Sequence, residues 1–189
     1  VADQVLHEQH DARWVTDGYP NGGNITVYNN GQGRPEGEYS TVDMFTPPLL
    51  PDGNYSLLPG QPFGPDSLFY RYTADPPLSF YSRNISGAQV QPNGNILVCE
   101  GAPGRLFEIG PNDSIVWHYE VPVNGVGPIS QGVQAASNNT FQANRYGYDY
   151  PAFAGRNRFR HHFPSARADC LVLVASPSFA CNEFPRSMG

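Results

Sequence analysis

Apolar residues along this chain come in short runs, not at helical spacing. The runs are Ile25-Thr26-Val27-Tyr28, Ile96-Leu97-Val98-Cys99, Leu106-Phe107-Glu108-Ile109 and Ile115-Val116-Trp117-His118-Tyr119. β-Branched and aromatic residues in short runs fit a half-buried pleated surface. Gly or Pro interrupts nearly every window long enough for a helix, so no helix is predicted. Turn residues bound the runs. Pro20-Asn21-Gly22 and Pro92-Asn93-Gly94 supply the positive φ that a tight hairpin needs.

The pattern repeats. Pro20-Asn21-Gly22-Gly23-Asn24-Ile25-Thr26-Val27 returns as Pro92-Asn93-Gly94-Asn95-Ile96-Leu97-Val98, and each run reaches a Gly-Arg, at Arg34 and Arg105. A second element, Asp66-Ser67-Leu68-Phe69-Tyr70-Arg71-Tyr72, returns as Asp113-Ser114-Ile115-Val116-Trp117-His118-Tyr119. The first element recurs after 71 residues and the second after 47. The difference is an insertion between Arg34 and Asp66, rich in Gly, Pro and acidic residues, which reads as a surface loop. Short strands with frequent turns imply a sandwich, barrel or propeller. The shorter copy has the length of one four-stranded propeller blade. The expectation is an all-β chain: propeller blades over residues 1–153 and a basic, irregular extension over 154–189.

That extension holds Arg156, Arg158, Arg160, His161 and His162, then a strand-like run at Leu171–Val174. Adjacent His residues on a strand point to opposite faces, so a solvated basic tail is favoured over a metal site. Cys170 and Cys181 enclose a Pro- and Ser-containing loop and read as a disulfide clip, with two free buried thiols as the alternative. Cys99 reads as a small core residue.

The formal charge is −6. Residues 1–150 carry 15 acidic residues against 6 Arg. This acidic body argues against nucleic acid as a partner. No apolar run is long enough to span a membrane. The first residues are not a signal peptide, and the absent initiator Met marks the chain as mature, processed or partial. The acidic residues show no metal-loop spacing, and no Gly-rich loop opens a helix, so neither metal nor nucleotide cofactor is expected. Asn-x-Ser/Thr sequons stand at Asn24, Asn54, Asn84, Asn112 and Asn138, more than composition alone accounts for. They point to a secreted glycoprotein, unless Asn, Ser and Thr merely share turns. The corresponding location is extracellular, or periplasmic for a bacterial chain.

The N-terminal run is the most informative. Gln9-His10-Asp11-Ala12-Arg13-Trp14 precedes Val27-Tyr28-Asn29-Asn30-Gly31-Gln32-Gly33-Arg34 and then Tyr39-Ser40. This order resembles the arylsulfotransferase family over about residues 8–153, with further similar runs at Ser86–Glu108 and Phe141–Pro151. The resemblance implies a six-bladed propeller of several hundred residues, of which this chain holds two blades and part of a third. It implies that a second chain or a missing N-terminal region completes the ring. It implies a His nucleophile that accepts a sulfuryl group, here His10, with an aryl sulfate as donor and a phenol as acceptor. The family's other active-site His and Arg residues lie upstream of the nucleophile and have no positions here.

Imidazole suits such a step because it is neutral near pH 7 and leaves well afterwards. Its other nitrogen needs a fixed acceptor, and the sulfuryl oxygens need cationic donors. On a regular strand His10, Ala12 and Trp14 share one face, so Trp14 could buttress an aromatic donor. Overlaying the repeats on Ala12 and Ala88 sets Ser86 opposite His10, so the fold template does not require the His. The alternative is a channel-lining His without catalytic part. Asn29 and Asn30 either line the site or cap the Gly turn. Arg34 is a candidate substrate-binding residue, although its recurrence as Arg105 favours a structural role. His118 reads as an outer-strand residue.

Two functions remain in view. One is an arylsulfotransferase-like enzyme using His10. The other is a non-enzymatic secreted glycoprotein, a structural or adhesive subunit derived from a propeller.

Overall fold

In the computed structural model, residues 4–147, 150–154 and the strand at 170–175 are described. The chain is all-β, with three short 3₁₀ turns and no α-helix among the described residues. Its body is a pair of four-stranded antiparallel meanders. The first contains β1 (His10–Trp14), β2 (Ile25–Asn29), β3 (Thr41–Phe45) and β4 (Tyr70–Tyr72). The second contains β5 (Ser86–Val90), β6 (Ile96–Glu100), β7 (Arg105–Ile109) and β8 (Ile115–Glu120). A small hairpin follows, β9 (Val123–Asn124) with β10 (Gly127–Pro128). Then β11 (Gln142–Gly147) pairs antiparallel with β12 (Cys170–Ala175). The expected strand in the C-terminal extension is therefore present, and it joins the body through β11. Among the described residues no sheet closes on itself.

The two meanders are the two sequence repeats. Registers match across them: Asp43 faces Arg71 as Phe107 faces His118, and Val42 faces Tyr72 as Leu106 faces Tyr119. One expectation needs correction. The stretch between Arg34 and Asp66 is not a single loop, because it contains β3. Polar Thr41 and Asp43 disguise a strand whose first four residues are all buried. The remaining insertion, between β3 and β4, is also less polar than expected. It exposes Leu49, Leu50, Tyr55, Leu57, Leu58, Phe63 and Phe69.

The sheets stack in sequence order, with β5 against β1 and β2, and β11 against β5 and β6. Between the first two lies the main core. Tyr28, Val42, Met44 and Tyr72 face Ala88, Val90, Ile96, Val98, Phe107 and Ile109. Phe80, on the link between the sheets, is fully buried at its centre. Its ring meets Tyr28, Tyr72 and Phe107 edge-on at centroid distances of 5.4, 5.8 and 5.3 Å. Such contacts add to the burial itself. A second layer of Cys99, Leu106, Val121 and Ala143 lies between the second sheet and β11. Cys99 is a free, buried core residue, as its strand context implied. Burial pushes its thiol up to about 12.

Candidate functional site

His10 opens β1 at the end of the first sheet where β2 turns into β3. The backbone around it is unusual. Glu8 and Asp11, two residues before it and one after, have φ of 53° and 55°. Non-glycine residues in this region cost energy and persist only where surrounding contacts hold them. The same Asp11 forms a bulge: the pairing with β2 slips between His10 and Arg13. The side chains of His10, Ala12 and Trp14 therefore do not alternate along one regular face, as the sequence implied.

The bulge sends the Asp11 carboxylate sideways onto the neighbouring strands. It accepts the Ala88 N–H at 3.0 Å and the Gln142 amide at 2.9 Å, and pairs with Arg13. Arg13 reaches on to Asn144 at 2.8 Å. One carboxylate thus ties β1, β5 and β11 together. Burial raises its pKa above the usual carboxylate value, against the pull of Arg13 and the amides. Gly87 makes room for it, since a Cβ there would lie 2.6 Å from the Asp11 oxygen.

His10 is half-buried and its ring is held on one side. Nδ1 lies 2.8 Å from Asn30 Oδ1 and 3.2 Å from the Glu8 carbonyl. A backbone carbonyl can only accept, so Nδ1 carries the proton in the neutral ring. Asn30 is consistent with this. Its Nδ2 donates to the Ser82 carbonyl at 2.6 Å, which turns Oδ1 toward the imidazole. Asn30 is fully buried, and its own carbonyl accepts the Ser40 hydroxyl at 2.9 Å. The Ser40 hydroxyl in turn accepts the Ser82 N–H at 3.0 Å. Ser86 donates to Asn30 Oδ1 at 3.3 Å. The consequence is chemical: with Nδ1 protonated, Nε2 presents a lone pair.

The other candidate residues divide. Asn29 is fully buried but turned away from His10. It donates to the Val5 carbonyl and to Asp43, both at 2.9 Å, and accepts the His7 N–H. It anchors the N-terminal segment. Trp14 stands at the end of β1 away from His10. It is 53% exposed and lines a separate cleft of about 410 Å³ with Tyr19, Tyr146 and Tyr150. Arg34 lies at the His10 end, in the turn from β2 to β3, with its guanidinium 4.5 Å from the Tyr39 ring centroid. Arg105, which the sequence sets equivalent to it, instead opens β7 at the place of Thr41 in β3 and pairs with Glu100 at 2.5 Å. His118 lies exposed on outer strand β8. Ser82 is the partner that sequence reading missed, because it stands 52 residues from Asn30 in a link between sheets.

Of the five sequons, Asn54, Asn84 and Asn112 are exposed. Asn24 and Asn138 are buried at 7% and 2% exposure, and their amides bond inward. The fold leaves no space for a glycan on either. The Cys170–Cys181 pairing and the basic run through His161 and His162 lie outside the described residues. Among the described residues no cluster of His, Cys, Asp and Glu is arranged to hold a metal ion. No helix among them is long and apolar enough to cross a membrane. Comparison with known proteins finds no family model, curated protein or solved structure that matches the chain.

Proposed function

We propose that the chain supplies blades of a β-propeller and that His10 is the sulfuryl acceptor of an arylsulfotransferase-like reaction. The observation that carries this reading is the hydrogen bonding of the imidazole. Glu8 and Asn30 hold Nδ1 as a donor, and Nε2 keeps its lone pair. In the first half-reaction Nε2 attacks the sulfur of an aryl sulfate. The S–O bond to the ring breaks, and its electron pair leaves with the phenolate, which takes a proton from solvent. In the second, a phenolate acceptor attacks the same sulfur, the S–N bond breaks, and its pair returns to Nε2. The Nδ1 proton stays in place throughout, donated to the two acceptors, and the positive ring is stabilised by them. The propeller reading is supported by two meanders in sequence order with their first strands adjacent, β11 continuing the series. A second chain or a further segment of the same protein completes the ring and supplies the remaining cationic groups.

The test is turnover of a chromogenic aryl sulfate by the complete native assembly. Phenol-dependent turnover that His10→Ala abolishes, with a sulfuryl adduct on the peptide containing His10, supports the reading. An assembly with all blades that shows neither turnover nor adduct rejects it. The second reading, a secreted binding subunit without catalysis, draws on a different observation. The loop between β3 and β4 exposes seven large apolar side chains close together in sequence, and such surfaces mark contact sites. Three exposed sequons fit the same extracellular setting.

A further inference from the structure

Arg34 is only 5% exposed, yet neither its Nε nor its Nη2 meets an acceptor among the described residues. These two nitrogens form one edge of the guanidinium fork, the edge that suits two oxygens at once. Other arginines of this chain show how that edge is ordinarily used. Arg71 sends Nε and Nη2 to the two Asp43 oxygens at 2.7 and 2.9 Å. Arg105 sends Nε to Glu100 at 2.5 Å. In the strand registers Arg105 opens β7 where Thr41 opens β3, so Arg34 has no equivalent in the strands of the second repeat. Arg34 lies in the turn before β3, and no carboxylate pairs with it among the described residues.

A buried guanidinium without a counter-charge is strongly unfavourable. The Tyr39 face offsets part of that cost, but it accepts no N–H in the plane of the fork. The location points to the missing charge. Gly31 follows Asn30 and donates its N–H to the His7 carbonyl, and a Cβ on Gly31 would lie 3.4 Å from Arg34 Nε. Thr41 Oγ1, also buried and without a hydrogen bond among the described residues, opens β3 at the same end. Beside Arg34, a Cβ on Gly33 would meet nothing within 4 Å, so the turn is open there.

We propose that Arg34 is the oxyanion-binding residue of the His10 site, with its Nε–Nη2 edge taking two oxygens of a tetrahedral oxyanion of the sulfate type. This rests on reading His10 as the sulfuryl acceptor. It gives that reading the cation it otherwise lacks within the chain.

The test is thermal unfolding of the full chain in sodium sulfate and in sodium chloride at equal ionic strength, for wild type, Arg34→Met, Arg34→Lys and Arg83→Gln. Sulfate raises the wild-type midpoint above its chloride value by about several degrees. Arg34→Met removes that increment, and so does Arg34→Lys, which keeps the charge but not the fork. Arg83→Gln, an exposed control, retains it. In chloride, Arg34→Met unfolds no earlier than wild type, because an unpaired buried cation has been removed. An increment that survives both Arg34 variants, or no increment in wild type, overturns the proposal. An equal increment from acetate also overturns it, because it assigns the edge to a planar carboxylate of a neighbouring segment. Binding is read without turnover, so sulfate stabilisation in an assembly with no transferase activity sinks the His10 reaction alone. Transfer without sulfate stabilisation sinks Arg34 alone.

Discussion

Asn30 Oδ1 lies 2.8 Å from His10 Nδ1, and the amide that presents it is locked by the Ser82 carbonyl on the other side. The pair decides which imidazole nitrogen carries the proton. Asn30→Ala removes the lock and leaves Glu8 as the remaining acceptor. The expected outcome is a fall in transfer rate of about a hundredfold, the scale associated with loss of a positioned proton partner. Nitrogen-15 NMR of the imidazole should show mixed tautomers where wild type shows one. A variant with unchanged rate and a single tautomer would show that Asn30 does not set the ring.

Phe80 fills the junction between the two meanders. Phe80→Ala leaves a cavity bounded by Tyr28, Tyr72 and Phe107. The expected loss is about 3–5 kcal/mol, the range for a buried aromatic truncated in a packed core. Urea unfolding followed by tyrosine and tryptophan fluorescence measures it. A loss below about 1 kcal/mol would mean that the sheets do not stack through this ring.

The Glu100 carboxyl titrates above its ordinary value because burial outweighs the pull of Arg105. The sign follows from linkage. A folded state that holds the proton more tightly than the unfolded chain gains stability as pH falls through the folded pKa. Burial of the ionised form is therefore a cost at neutral pH, and it is relieved on the acid side. Compared with Glu100→Gln, wild type should gain stability between pH 7 and the ordinary glutamate range. Urea midpoints at a series of pH values read this directly. Parallel curves for the two proteins would contradict the raised pKa.

Secretion from a eukaryotic cell should place glycans on Asn54, Asn84 and Asn112 and leave Asn24 and Asn138 bare. Glycopeptide mass spectrometry after refolding and protease digestion distinguishes the two sets. A glycan on Asn24 or Asn138 would require the chain to be modified before those side chains fold inward.

Much of the fold was legible without coordinates. Short apolar runs between Gly, Pro and Asn turns dictated strands, because the pleat has a period of two and those turns need positive φ. The two spaced motifs dictated two copies of one sheet: the offset of 71 residues reappears between β2 and β6, and that of 47 between β4 and β8. What escaped was β3, whose Thr41 and Asp43 read as loop residues until Asn29 and Arg71 supplied their neighbours.

The site divides along the same line. The residue types were set by the chain: an imidazole, an adjacent Asn pair, and an Arg after a Gly turn. Their roles depended on long-range contacts. The bulge at Asp11 arises because β5 and β11 offer an N–H and an amide to its carboxylate. That bulge separates Trp14 from His10. Asn29 and Asn30 are neighbours in sequence but point to opposite partners, one to Asp43 and one to the imidazole. Local propensity acts over a few residues and fixes strands and turns. Tautomers, buried charges and orphaned donors are fixed by groups that only the stacking of sheets brings within reach.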